Sequence, residues 1–149
     1  MASVFSKIID GELPGRFCWV DEKCVVFASI NPISDGHMLV VPREEISKYT
    51  DAPDHLLSHL MTIAKKVGLA LEMAFDAPRA GLLVAGFEVP HLHIHVVPAW
   101  GEGELSFANA KESVPGEELD EATEKVRQAL RTLGYGRYIP QDMNSAVLG

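Results

Sequence analysis

The sequence predicts an α+β domain in which helices pack on a five-stranded, mainly antiparallel sheet. Three observations carry this. Five short runs rich in β-branched and aromatic residues are separated by turn residues or by helical segments. One long segment of helical periodicity lies between the third and fourth runs, which leaves room for a single parallel pairing at most. And 149 residues, 47% hydrophobic and 23% charged, suffice for one domain with a single buried core that needs neither disulfide nor metal.

In order, Val4 to Gly11 has apolar residues at helical spacing and ends on glycine, as a short helix does. Arg16–Val20 and Lys23–Ala28 read as a hairpin about Asp21-Glu22, and His37–Pro42 as a third strand that follows the loop Asn31–Gly36. Asp51 is the expected N-cap of a helix from about Pro53 to Phe75, with Leu56, Leu57, Leu60, Ile63, Ala64, Val67 and Leu71 at helical spacing on its core-covering side. Ala80–Gly86 and His91–Val97 are the fourth and fifth strands. Glu117–Leu133 reads as a second amphipathic helix, its early carboxylates suited to a helix N-terminus and Gly134 to its end. The tail beyond has no usable periodicity, and residues 1–149 read as one domain, with the core at about 4–100 and the helix and tail at 101–149.

A formal net charge of −8 argues against broad binding to a nucleic-acid polymer, which requires a basic surface, and leaves small ligands in a local pocket. No apolar run approaches a membrane span, and the opening residues lack a basic start followed by an apolar stretch, so a cytoplasmic protein without a secretory signal is expected. Cys18 and Cys24 flank a tight turn and are expected as two reduced, half-buried thiols.

The chemistry lies in His91-Leu92-His93-Ile94-His95-Val96-Val97. On a strand, Leu92, Ile94 and Val96 face the core while His91, His93 and His95 line the other side. One use of such a row is nucleophilic attack on phosphorus. The attacking ring nitrogen must be unprotonated, which is arranged when the other nitrogen donates to a backbone carbonyl. The middle residue, His93, then has an imidazole on either side to bind phosphate oxygens or protonate a leaving group. A second use is chelation of zinc or copper by the row, with His37 as a further ligand. Against it, the chain has no Cys-x-x-Cys pair and no His-Glu-x-x-His helix. His55 and His59 have metal-ligand spacing too, but a solvated helix face accounts for them.

The stretch matches in full the His-φ-His-φ-His-φ-φ signature, φ being hydrophobic, of the histidine triad (HIT) superfamily. Asn31-Pro32-Ile33-Ser34-Asp35-Gly36-His37-Met38-Leu39-Val40-Val41-Pro42 resembles that family's Pro-x-x-x-Gly-His-x-Leu-Val-x-Pro segment, and Phe5 to Pro14 is similar to the opening of its Hint branch. The resemblance implies a HIT-like fold paired as a homodimer, and hydrolysis or transfer of nucleoside monophosphates through a nucleotidyl-histidine intermediate. It implies His93 as nucleophile, His95 at the α-phosphate and leaving group, and His91 and His37 in the network that orients them. No cofactor is required by that chemistry, and zinc is not favoured.

The same comparison marks departures. Phe87 stands where the Hint branch has glutamine, and Glu88 where a small hydroxyl residue is usual, in a loop shortened to Val84-Ala85-Gly86. Ser29, before Ile30, replaces a ribose-binding aspartate and offers one hydroxyl in place of two charged acceptors. The nucleotide or nucleoside monophosphate derivative is therefore expected to differ in leaving group or base. Ile8, Phe17 and Phe27 are candidates for an apolar base pocket, and Ile30 and Phe87 are further substrate-binding candidates. Trp100 is a candidate to stack on a base or to reach across a dimer interface.

Overall fold

A computed structural model describes residues 2–148. The turn chemistry at Asp21 sets the first hairpin: its Oδ1 accepts the amide N–H groups of Lys23 and Cys24 at 2.7 and 2.8 Å, closing Phe17–Val20 (β1) onto Cys24–Ala28 (β2). Met38–Pro42 (β3), Arg79–Leu83 (β4) and Ile94–Ala99 (β5) complete a sheet of order β1-β2-β3-β5-β4. Every neighbouring pair is antiparallel, so the parallel pairing left open by the long helical segment is not used.

Three α-helices accompany the sheet: Val4–Ile9 (α1), Asp54–Phe75 (α2) and Gly116–Thr132 (α3). Asp51 does not cap α2. It lies in a 3-10 turn, Tyr49–Asp51, and Pro53 occupies the cap position, where its fixed φ leads into the helix. The α2 face bearing Leu60, Ile63, Val67 and Leu71 packs with Val126 and Leu130 of α3 on one side of the sheet, against Val26, Val40, Ile94 and Val96. The other side buries Phe17, Val25, Phe27, Leu39 and Val41 beneath Phe5 of α1. A register shift between Phe17 and Trp19 places Cys18 and Trp19 together on the α2–α3 side.

Several boundaries differ from the expectation. The fourth strand ends at Leu83, and the fifth begins at Ile94. His91-Leu92-His93 therefore approaches the sheet as a strap, held where the Leu92 N–H donates to the Ile46 carbonyl at 2.6 Å. The alternation survives, because Leu92, Ile94 and Val96 all enter the α2–α3 core. Both thiols are wholly buried and unpaired, and burial pushes Cys18 up to about 12. The tail is also ordered: Tyr138 stacks on Trp19 at 4.4 Å, and Ile139 joins the core. Among the described residues no helix is long and apolar enough to cross a membrane.

Candidate active site

The side of the sheet away from α2 and α3 opens into a cleft of about 850 Å³, and His93, His95 and His37 line it. His37 precedes β3 at the end of a turn that only glycine can make: Gly36 has φ 91°, and a Cβ there would run into the Phe75 ring. His91 is fully buried behind the others.

Hydrogen-bond partners of fixed polarity settle the ring protons. His93 Nδ1 lies 2.7 Å from the carbonyl oxygen of His91, so it carries the proton, and Nε2 is left as a free lone pair. His91 Nε2 faces the Pro42 carbonyl at 2.7 Å and donates to it, so its Nδ1 accepts from the Ser3 hydroxyl at 2.6 Å. In the second chain, the Ile33 N–H donates to His37 Nδ1 at 3.0 Å, which puts the His37 proton on Nε2 and directs it to His95 Nδ1 at 2.9 Å. His95 consequently carries its own proton on Nε2. The cleft thus holds a bare nitrogen on His93 beside an N–H on His95, the two rings 4.8 Å apart.

The environment keeps these rings neutral. Burial, then His95 and His93, holds His37 down to about 3; burial and His93 hold His95 down to about 4. Burial also lowers His93, although the His91 carbonyl works the other way. Below the ordinary value of 6.5 the unfolded chain binds protons that the folded site refuses. The contribution of these rings to stability is therefore complete above about pH 6.5 and is lost progressively as the pH falls towards about 3. Melting temperatures across that range are expected to fall less steeply for His37→Asn than for the natural chain; parallel slopes would place the acid sensitivity elsewhere.

Ser3, Ser6 and Glu45 form an arrangement that sequence reasoning missed. Ser3 caps α1 by accepting the Ser6 N–H at 3.0 Å while its hydroxyl proton goes to His91, and Glu45 Oε1 accepts from the Ser3 N–H and the Ser6 hydroxyl at 2.6 and 2.8 Å. The start of α1 is thereby tied to the back of the histidine network. Loss of one such bond is worth about 1 kcal/mol, so Ser3→Ala is expected to lower kcat/KM roughly fivefold and, through the lost cap of α1, to lower stability by about 1 kcal/mol. Unchanged kcat/KM would show that His91 holds its orientation without Ser3.

The predicted binding residues divide. Ile8, Phe27, Ser29, Ile30 and Phe87 all line the cleft, and Phe87 is 98% exposed on its rim. Phe17 does not: it is buried beneath Phe27, ring centroids 5.8 Å apart. Trp100 lies outside the cleft lining and is half exposed. Two other aromatics meet the histidines: Phe5, edge-on to His93 at 4.8 Å, and Phe107, edge-on to His95 at 4.8 Å, in a segment pinned where Asn31 Nδ2 donates to the carbonyls of Lys111 and Glu112, both at 3.0 Å. Ser29 Oγ accepts the Asn31 N–H at 3.2 Å and keeps its own proton to donate. His59 is not simply solvated, since its Nε2 bonds Asp21 at 2.8 Å.

A family model described as the HIT domain matches residues 10–101. The chain belongs to the HIT family. A HIT-like protein of Methanocaldococcus jannaschii is 33% identical to it over 83% of this chain and 98% of its own. The adenosine 5'-monophosphoramidase HNT1 of Saccharomyces cerevisiae is 33% identical over 65% of this chain and 62% of its own. Among solved structures, a hypothetical histidine triad nucleotide-binding protein of Sulfolobus tokodaii superposes with a TM-score of 0.76 at 29% identity, covering 87% of this chain and 92% of that one. The HIT signature of this chain is the strap and strand His91–Val97, of which His93 and His95 line the cleft with His37 while His91 is buried behind them.

Proposed function

We propose that this HIT protein hydrolyses or transfers the nucleoside monophosphate group of a phosphoramidate or phosphoanhydride through a nucleotidyl-His93 intermediate. One observation carries the reading: His93 Nδ1 is committed to the His91 carbonyl, which leaves Nε2 unprotonated inside the cleft. Burial of that ring supports it, because a lowered pKa keeps the nucleophile free at neutral pH. The likeness to a monophosphoramidase supports the substrate class.

The steps balance as follows. An anionic phosphate entering beside His95 raises that ring's proton affinity, and the substrate binds with one proton taken up there, making an imidazolium. His93 Nε2 attacks phosphorus, the bond to the leaving nitrogen or oxygen breaks, and the leaving group takes the His95 proton. Water then attacks the phosphorus, gives its proton to His95, and the P–N bond to His93 breaks to release the monophosphate. His37 donates to His95 Nδ1 while His95 is neutral, before the proton is taken up and again after it has left; the imidazolium has a donor at both nitrogens and does not accept there. A ribose would contact Ser29 and Ile30, and a base would lie over Ile8 and Phe27. Phe87 offers its exposed ring to base or leaving group where a polar amide would otherwise bind phosphate. We read the working unit as a homodimer, for which the edge strand β4 offers a place to extend the sheet.

The test is acid-free rapid quenching of the chain with a nucleoside 5'-phosphoramidate, followed by peptide mass analysis. The expected result is a nucleoside monophosphate adduct on His93 that appears and decays within turnover. Turnover without any adduct, with water adding directly to phosphorus, would overturn the covalent route.

A further inference from the structure

On the opposite side of the sheet from the cleft, three metal-ligating side chains from separate elements converge. Asp21 lies in the β1–β2 turn, Cys24 opens β2, and His59 is on α2. Their ligand atoms all lie within 4.8 Å of one another. Two X–H groups point at one carboxylate oxygen: His59 Nε2 is 2.8 Å and Cys24 Sγ 3.5 Å from Asp21 Oδ2. The carboxylate is itself immobilised, because Oδ1 accepts the Lys23 and Cys24 amides and Oδ2 also accepts the Trp19 indole N–H at 2.9 Å. Such outer bonds are what orient a carboxylate ligand.

We propose that Asp21, Cys24 and His59 form a binding site for a zinc-class divalent cation. Metal–ligand bonds of about 2.0 to 2.3 Å place the ligand atoms of a tetrahedron roughly 3.3 to 3.6 Å apart. The two distances to Asp21 Oδ2, 2.8 and 3.5 Å, are within about half an ångström of that, and the His59 and Cys24 ligand atoms lie within 4.8 Å of each other, so the three donors are already gathered about one point. One thiolate, one imidazole and one carboxylate select zinc or its neighbours over magnesium or calcium. The fourth position opens on a second cleft, about 680 Å³, that Asp21, His59, Arg43 and Lys66 line. Burial and then Asp21 hold Cys24 in its thiol form in the absence of an ion, with Arg43 opposing them.

Binding balances simply. The Cys24 S–H proton is released to solvent, the His59 ring proton moves from Nε2 to Nδ1, and the ion takes the place of both donors at Oδ2. The bound ion would clip the first hairpin to α2 without touching the histidine cleft.

Cobalt(II) titrated into the full chain, stripped with a chelator, tests the site. One equivalent is expected to give thiolate-to-cobalt charge transfer and tetrahedral d–d absorption, with release of one proton. Cys24→Ser should abolish the charge-transfer band, and His59→Ala, a change on a partly exposed helix face, should weaken zinc binding at least about tenfold. Cys18→Ala should keep the band, His93→Ala should bind the ion as the natural chain does, and Cys24→Ser should keep normal phosphoramidate turnover. A natural chain without a thiolate band at stoichiometric cobalt, or a band lost in Cys18→Ala or His93→Ala, would overturn the proposal.

Discussion

His93→Ala is expected to lower kcat/KM on a nucleoside phosphoramidate by about four orders of magnitude or more, since removing a covalent nucleophile eliminates the path and leaves only binding and electrostatic assistance. The fold should tolerate the change. His93 is nearly buried, but its fixed contacts are one hydrogen bond to the His91 carbonyl and the edge of the Phe5 ring at 4.8 Å. Affinity for the product monophosphate should stay within about threefold, because the His95 N–H, the Ser29 hydroxyl and the apolar base pocket are untouched. Those two readouts together separate loss of chemistry from loss of the cleft. Equal rates for variant and natural chain across phosphoramidates and dinucleotides would remove His93 from the nucleophile's role.

The side of the chain on which the histidine row lies was legible because the residues between the histidines alternate with them. Period two puts Leu92, Ile94 and Val96 in the core, and their burial forces the histidines to the other side even where the strap is not yet part of the sheet. His37 was legible through its motif, and the turn at Gly36 explains why the motif requires glycine. What could not be read was any contact set by chain packing. Ser3 reaches His91 across 88 positions, and neither residue carries a local sign of the other. Trp100, the first aromatic after the strand, was expected to stack on a base or to reach across a dimer interface, and it lies outside the cleft lining. The chain passes through 3-10 turns at Glu102–Glu104 and Phe107–Asn109, with Leu105 seated on Gly81 of β4, and these steps deliver Phe107 to the His95 ring. Phe17 has the right residue type for a base pocket, but it lies one layer beneath Phe27. Residue type alone cannot separate a cleft lining from the layer behind it.

The same limit applies to the tail, whose lack of periodicity conceals its most demanding contact. Arg127 is on α3 with its side chain 3% exposed, and its guanidinium donates to the carbonyl of Phe17 at 2.8 Å and to those of Pro140 and Gln141 at 2.7 and 3.3 Å. Among the described residues, Glu124 at 3.4 Å is its one acidic partner. One buried cation thus joins α3 to β1 and to the tail, and its charge is met mainly by carbonyl dipoles. Arg127→Ala would leave those carbonyls without donors and open a void beside β1. At about 1 to 3 kcal/mol for each unmet buried group, a loss of about 3 to 5 kcal/mol is expected, or roughly 10 °C in Tm for a chain of this size. Arg127→Lys should recover less than half of it, because a single ammonium cannot reproduce the planar fork that serves both directions. Turnover at low temperature should remain within about threefold of the natural chain, because Arg127 touches no residue of the histidine network. A Tm within about 2 °C of the natural value for Arg127→Ala would mean that the tail is held by Tyr138 on Trp19 and by Ile139 in the core, with the guanidinium contributing no net stability.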